Sequence, residues 1–247
     1  MKRVILLIGV LASVAAAHVV FGQHVEGVIR YEVKTNMHRN LPPERQEMKA
    51  MIPEFRTTTD QLFFNATESL YKPVEEDEDE VSGSSGGIQI RMRVPQNEYY
   101  MNSETFKKIV LQEFMGKKYL IEDSIKMAPW KFGTEVKTIL GYECRQAYFT
   151  EEIQGRTLEI TAWYTDKIRP FLGPERFNTL PGTVLALDVN NGERLTVARN
   201  IELRPLKKNE LKIPAGGIKT TQEEYRKMVA EQMERMRSSG GNIIIRN

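Results

Sequence analysis

Three histidines, one cysteine and eleven methionines are the side chains of this sequence most suited to nucleophilic or metal chemistry. Their positions narrow that chemistry. The histidines are His18, His24 and His38, all near the N-terminus. A serine nucleophile without a positioned base is inert, and no base stands beside a hydroxyl in any recognisable spacing. Cys144 shares strand parity with Leu140, Tyr142 and Tyr148, which places it on an apolar face as a core thiol rather than a reactive thiolate. A tetrahedral zinc site needs four nitrogen or sulfur ligands, and these residues do not supply them. Thioethers suit copper(I). Met48, Met51, Met228, Met233 and Met236 are therefore the candidate metal ligands, although methionines at helical spacing also make ordinary core stripes.

The other cluster with chemical potential is the corner Thr165–Gly182, where Pro170, Pro174 and Pro181 stand with Gly173 and Gly182. Trp163, Tyr164, Arg169, Phe177, Leu180, Pro181 and Gly182 are the candidate ligand-binding residues around it. A loop held on a rigid sheet is a common place for a binding site. The same residues also describe a turn stiffened by proline and pinned by aromatic rings.

The elements that must position these groups are strands. Ile29, Tyr31 and Val33 alternate with Arg30, Glu32 and Lys34, the pattern of a half-buried strand. A short helix is expected over 44–52, bounded by Pro42-Pro43 and Pro53. A hairpin turning at Asn65-Ala66 and a meander from Ile88 to Glu122 follow, with Gly116 at one turn. Residues 136–153 read as one long strand or a bent pair. In 157–164, Leu158, Ile160, Ala162 and Tyr164 face the core and Trp163 faces away. Leu185, Leu187 and Val189 share the next inward face, and Asn190-Asn191-Gly192 is a hairpin turn. Thr221 and Glu224 form a capping box for a C-terminal helix whose stripe is Tyr225, Met228, Val229, Met233 and Met236.

At 247 residues the chain holds one large domain or two small ones. Lys2, Arg3 and the apolar run 4–20 read as a signal peptide over 1–22. No cysteine sits near its end, so no lipid anchor is expected. Without Lys2 and Arg3 the chain carries 33 basic and 33 acidic residues, which argues against a nucleic-acid partner. The antiparallel β domain spans 23–218, and the helix with its tail spans 219–247. Within the β domain, 75–87 joins six carboxylates to a Ser/Gly run, a mobile solvated loop rather than a compact calcium site.

Several phrases recur in a fixed order: Gly116-Lys-Lys-Tyr-Leu-Ile-Glu-Asp123, Trp130, Ile139-Leu-Gly-Tyr-Glu-Cys144, Gly155-Arg156, Ala162-Trp-Tyr-Thr165, Gly173-Pro174 and Leu180-Pro181-Gly182. Together they resemble the GLPGLI family, secreted proteins of Bacteroidota-type bacteria with no established biochemical function. The name-giving hexapeptide is degenerate here, reading Thr179-Leu-Pro-Gly-Thr-Val184. The resemblance implies an exported protein in the periplasm, associated with the outer membrane or secreted. It also implies neighbourhood with outer-membrane metal and nutrient receptors.

The expected fold is mainly β: a strongly curved antiparallel sheet of about nine to twelve strands, half-barrel and lipoprotein-carrier-like, with a C-terminal α-helix. The expected function is a non-enzymatic envelope protein that binds an apolar ligand, such as a lipid or peptide, or an outer-membrane partner, without a cofactor. The alternatives are a copper- or iron-linked factor using Met ligands and an uncharacterised enzyme.

Overall fold

The computed structural model of the protein describes residues 26–39, 41, 43–74, 84–85, 88–89, 96–153 and 155–238. The signal segment 1–22, His18, His24, most of the loop 75–87 and the side chain of Met236 lie outside the described residues. The strands of the first half are β1 (Gly27–Asn36), β2 (Phe55–Phe64), β3 (Glu68–Pro73), β6 (Glu98–Asn102), β7 (Lys107–Phe114) and β8 (Lys117–Ser124). Between β3 and β6, β4 (Ser84–Ser85) and β5 (Ile88–Gln89) pair only with each other. The second half contributes β9 (Lys131–Ile139), β10 (Tyr142–Ile153), β11 (Arg156–Thr165), β12 (Thr183–Val189) and β13 (Arg194–Leu203). A short β14 (Ile218–Thr220) leads into helix α1 (Gln222–Ser238).

Twelve strands form one open sheet in the order β14-β8-β7-β6-β3-β2-β1-β13-β12-β11-β10-β9. It consists of two meanders joined edge to edge where β1 meets β13. Every strand pair is antiparallel except β14 on β8. The connection from β8 to β9 shows how strongly this sheet bends. Those strands stand ten spacings apart in the sheet, about 48 Å if it were flat. Only residues 125–130 join them, a link that reaches about 25 Å at full extension. The sheet must therefore curl until its two ends approach. Thr179 of the corner ties the link down, its Oγ1 accepting from Ala128 N and Trp130 Nε1 at 3.2 Å each.

The core follows the pleat. Ile29, Tyr31, Leu62, Phe64 and Tyr71 share a buried cluster with Ile168 and Leu172 of the corner. Helix α1 covers the neighbouring strands, with Tyr225 buried against Val110, Tyr119 and Ile121 and with Met228 and Val229 beside it. Its capping box forms as the sequence predicts: Thr221 N donates to Glu224 Oε2 at 2.9 Å and Glu224 N to Thr221 Oγ1 at 3.2 Å.

Of the two readings of residues 136–153 the pair holds, as a hairpin in which Leu140 (φ 50°) and Gly141 (φ 82°) reverse the chain between β9 and β10. Three local expectations need correction. The short helix is a 3-10 segment over Pro43–Ala50. Leu185 does not share a face with Leu187 and Val189. The register of β11 and β12 slips between Trp163 and Tyr164, so Leu185 is a bulged residue that joins the cluster of Trp163 while Leu187 joins that of Tyr164. Finally, Tyr148 keeps the parity of Cys144 yet is exposed, since cover passes to the other face of β10, over Ala147 and Phe149.

Candidate functional site

The corner between β11 and β12 folds back across the sheet and carries polar groups from one meander to the other. Phe171 N bonds to Leu180 O at 3.2 Å and Val184 N to Leu172 O at 2.9 Å, closing the corner on itself. Gly182 permits that closure, because a Cβ there would stand 2.2 Å from the Thr165 carbonyl oxygen. From this rigid base Glu175, with φ at 48°, extends its carboxylate to Arg194 of β13. The fork is two-pronged, with Arg194 donating to Oε1 at 2.7 Å and Oε2 at 3.0 Å. Arg176 makes a second fork to Glu151 of β10.

The first meander meets these charges with a row of buried polar side chains. Directly opposed residues share a face, so Tyr31 with Asp60 and Leu62 with Tyr71 and Tyr99 form one inward surface. Tyr71 donates its hydroxyl to Asp60 Oδ2 at 2.5 Å, and its ring stands 5.9 Å from Tyr31 and 6.3 Å from Tyr99. Burial pushes the Asp60 carboxyl above its ordinary range; the Tyr71 bond and Arg194 pull against this, while the Glu175 charge adds to it. Burial likewise raises Tyr71, and the neighbouring Asp60 carboxylate raises it further. The result is a carboxyl held toward its proton-carrying form in the field of the Glu175–Arg194 ion pair. A buried carboxyl of that kind can give a proton to a substrate.

Arg169 forms a second polar point on the same corner. Its guanidinium donates to Glu68 O at 2.7 Å and Pro170 O at 3.1 Å, while its Nε is buried without a partner. Burial lowers its pKa to about 10. Glu68 in turn accepts from the hydroxyl of Tyr100, whose pKa burial and the Glu68 charge raise to about 12.

Of the binding residues expected from sequence, Tyr164, Phe177 and Leu180 come together in one buried cluster with Phe149. Trp163 lies on the opposite face, 9% exposed, with Lys137 3.6 Å above its ring. Gly182 is buried, Pro181 exposed and Arg169 half-buried. Met228 and Met233 sit on α1, the first half-buried and the second exposed, whereas Met48 and Met51 lie in and just after the 3-10 segment. Among the described residues no three His, Cys, Asp or Glu side chains gather as a metal site. Asp60, Tyr71, Tyr99, Glu175 and Arg194 escaped the sequence reading because they come from five separate segments. One signal was present: Asp60 holds the same strand parity as Leu62 and Phe64, a carboxylate in an inward slot.

Comparison with known proteins places this geometry. Residues 71–225 match a family described as "N-glycanase peptide, N-terminal domain". A structure of PNGF-II in space group P21 superposes with a TM-score of 0.54 at 15% identity, covering 83% of this chain and 33% of that one. A second, in space group C2, gives 0.53 at 15% identity with the same coverage. At that identity the likeness speaks for the fold, and the chain spans about a third of the length of these structures. No curated protein matches the sequence.

The family match corrects two expectations. The likeness to the GLPGLI family fails, since the matching family is that of N-glycanase N-terminal domains. The phrases behind it, among them Gly116, Gly155, Gly173-Pro174 and Leu180-Pro181-Gly182, are largely the turn grammar that a meander with this corner requires. The non-enzymatic reading falls for the same reason: the matching family is described as belonging to an N-glycanase. It rested on missing nucleophiles, but carboxyl groups can drive hydrolysis through water without any. Export remains compatible with this placement. With a family model spanning more than half of its residues, the chain belongs to the N-glycanase N-terminal-domain family.

Proposed function

We propose that the chain works in the enzymatic removal of N-linked glycans from glycoproteins. The family match over 71–225 carries this reading, since it encloses Tyr71, Tyr99, Glu175 and Arg194 of the polar cluster. Carboxylate and guanidinium forks are suitable partners for sugar hydroxyls, and a proton-bearing carboxyl can donate to an amide nitrogen as it leaves. Because the chain corresponds to a third of the PNGF-II structures, its task in this proposal is to present the glycan-bearing asparagine to the hydrolytic groups of a larger assembly. Glycoprotein substrates put that work outside the cytoplasm, in the periplasm, at the outer membrane or in secreted form.

The test is release of glycan from an N-glycopeptide, read by mass spectrometry as glycan loss with conversion of asparagine to aspartate. The full mature chain is assayed alone and together with the remaining two-thirds of the PNGF-II polypeptide. The expected result is release at least about tenfold faster with the chain present, an effect that Arg194→Gln removes while the far-UV spectrum is unchanged. Equal rates with and without the chain, or with Arg194→Gln in its place, would overturn the proposal.

A further inference from the structure

We propose that a cluster of cations beside Tyr99, formed by Lys108, Lys126, Arg176 and Arg226, receives a negatively charged sugar, so that the glycans this chain handles are acidic ones. This inference rests on the glycan reading and deepens it. Four separate segments supply the cluster. Lys108 stands on β7, opposite Asp123 of β8 and on the same face as Tyr99 and Val110. Its Nζ lies 3.9 Å from Asp123 Oδ2, and Lys126, from the link after β8, approaches the same oxygen at 3.5 Å. Helix α1 adds Arg226, which follows the Tyr225 buried over Val110. The corner adds Arg176, held by its fork to Glu151 and by its place over the Phe177 ring. Four cations thus meet two carboxylates, one shared between two lysines and the other already forked to Arg176. Burial holds the Lys108 ammonium below its ordinary pKa; Asp123 opposes this, and the charges of Lys126, Arg226 and Arg176 add to it. A bound anion supplies the counter-charge that this crowding lacks.

The anion belongs to a sugar because the cluster is continuous with the polar site. Half-buried Tyr99 packs against both the core cluster that holds Tyr71 and the one that holds Tyr225. The charges of Glu175, Arg194 and Arg176 all reach its hydroxyl. From Asp60 on β2 to Lys108 on β7 is three strand spacings, about 14 Å, along one inward face. A branched glycan whose asparagine-linked end lies at Asp60 therefore brings an outer sugar to Lys108. The anions such sugars carry are carboxylates and phosphates, and ammonium and guanidinium groups bind either.

Calorimetric titration of the full mature chain tests the proposal, with three probes: an N-glycopeptide ending in sialic acid, the same glycopeptide after sialidase, and one carrying a phosphorylated sugar. At low ionic strength at least one acidic form should bind about tenfold tighter than the neutral form, and the difference should shrink at about 0.5 M salt. The tighter of the two acids identifies the anion. Arg226 is exposed, so Arg226→Gln leaves the core untouched and should reduce the preference about threefold or more. Adding Lys108→Gln should abolish it, with affinity for the neutral form unchanged. Lys227→Gln removes the next cation of α1 and should leave the preference intact, which separates the cluster from net charge. Equal affinity for the neutral and both acidic forms overturns the inference and leaves the glycan reading standing. A preference that survives the double variant also overturns it. So does one that appears only when the six carboxylates of 75–80 are neutralised, because the chain's own acidic run would then be the occupant. Binding of none of the probes overturns it too, and the release assay above then shows whether the glycan reading falls with it.

Discussion

The two ends of the sheet receive opposite treatment. At β8 the chain returns after about a hundred residues to lay β14 alongside and then buries Tyr225 of α1 over Val110, Tyr119 and Ile121. At β9 it adds nothing among the described residues, and the burial pattern of that strand is exposed almost throughout. One end is finished by tertiary packing and the other is left open among the described residues. Stability should therefore concentrate at the capped end.

Substitutions that separate the two ends can be ranked by size. Tyr225→Ala removes a buried ring that meets Tyr119 at 5.4 Å and Phe114 at 6.4 Å, and should cost about 3 kcal/mol in urea unfolding. Gly217→Ala comes next. Its φ is +80° and an added Cβ would lie 2.8 Å from the Lys118 carbonyl oxygen, so about 2 kcal/mol should be lost with the β14 pairing. Thr221→Ala takes away the helix cap for about 1 kcal/mol. The bonds from Thr221, backbone first, hold the Glu224 carboxylate below its ordinary 4.5. A lowered folded pKa means that this contribution is present above 4.5 and disappears as pH falls through the folded value. Amide exchange along α1 should speed up over that acid window in the parent chain; Thr221→Ala should shrink the pH step, and Glu224→Gln should abolish it. At the bare end Val136→Thr should change stability by less than about 0.5 kcal/mol, because the side chain is exposed. A loss at Val136 as large as that at Tyr225 would erase the contrast between the ends.

Much of the fold was legible because a half-buried strand writes its pleat into the sequence. Ile29, Tyr31 and Val33 are all buried as their alternation requires, and Asn190, Asn191 and Gly192 all take positive φ in the turn they announce. Legibility failed where local pattern and tertiary cover diverge. Nothing near Leu185 signals the bulge, which exists because the corner must bring Leu172 beside Thr183. Tyr148 has the right parity and the wrong neighbours. The site was the least legible part, since its carboxyls and tyrosines reach one another only through the folded corner. Glu175 and Arg194 are nineteen residues apart, and Asp60 lies more than a hundred residues before either. Spacing rules describe helices, loops and single strands, and none of them spans such a separation.

The seam between β1 and β13 has a consequence for the order of events in folding. It pairs Gly27 with Leu203, whereas nearly every other antiparallel contact in the sheet joins neighbours in the chain. Most hairpins of each meander close through turns of a few residues, but the seam must wait for some 170 residues to be synthesised and gathered. A chain emerging N-terminus first thus carries β1 with one side satisfied by β2 and the other open until the last long strand arrives. The expected kinetics are two fast local zippering phases and one slow, non-local closure. Ala198, buried opposite Tyr31, is the place to read that last step: Ala198→Gly should accelerate unfolding and slow the closing phase, while leaving the earlier phases intact.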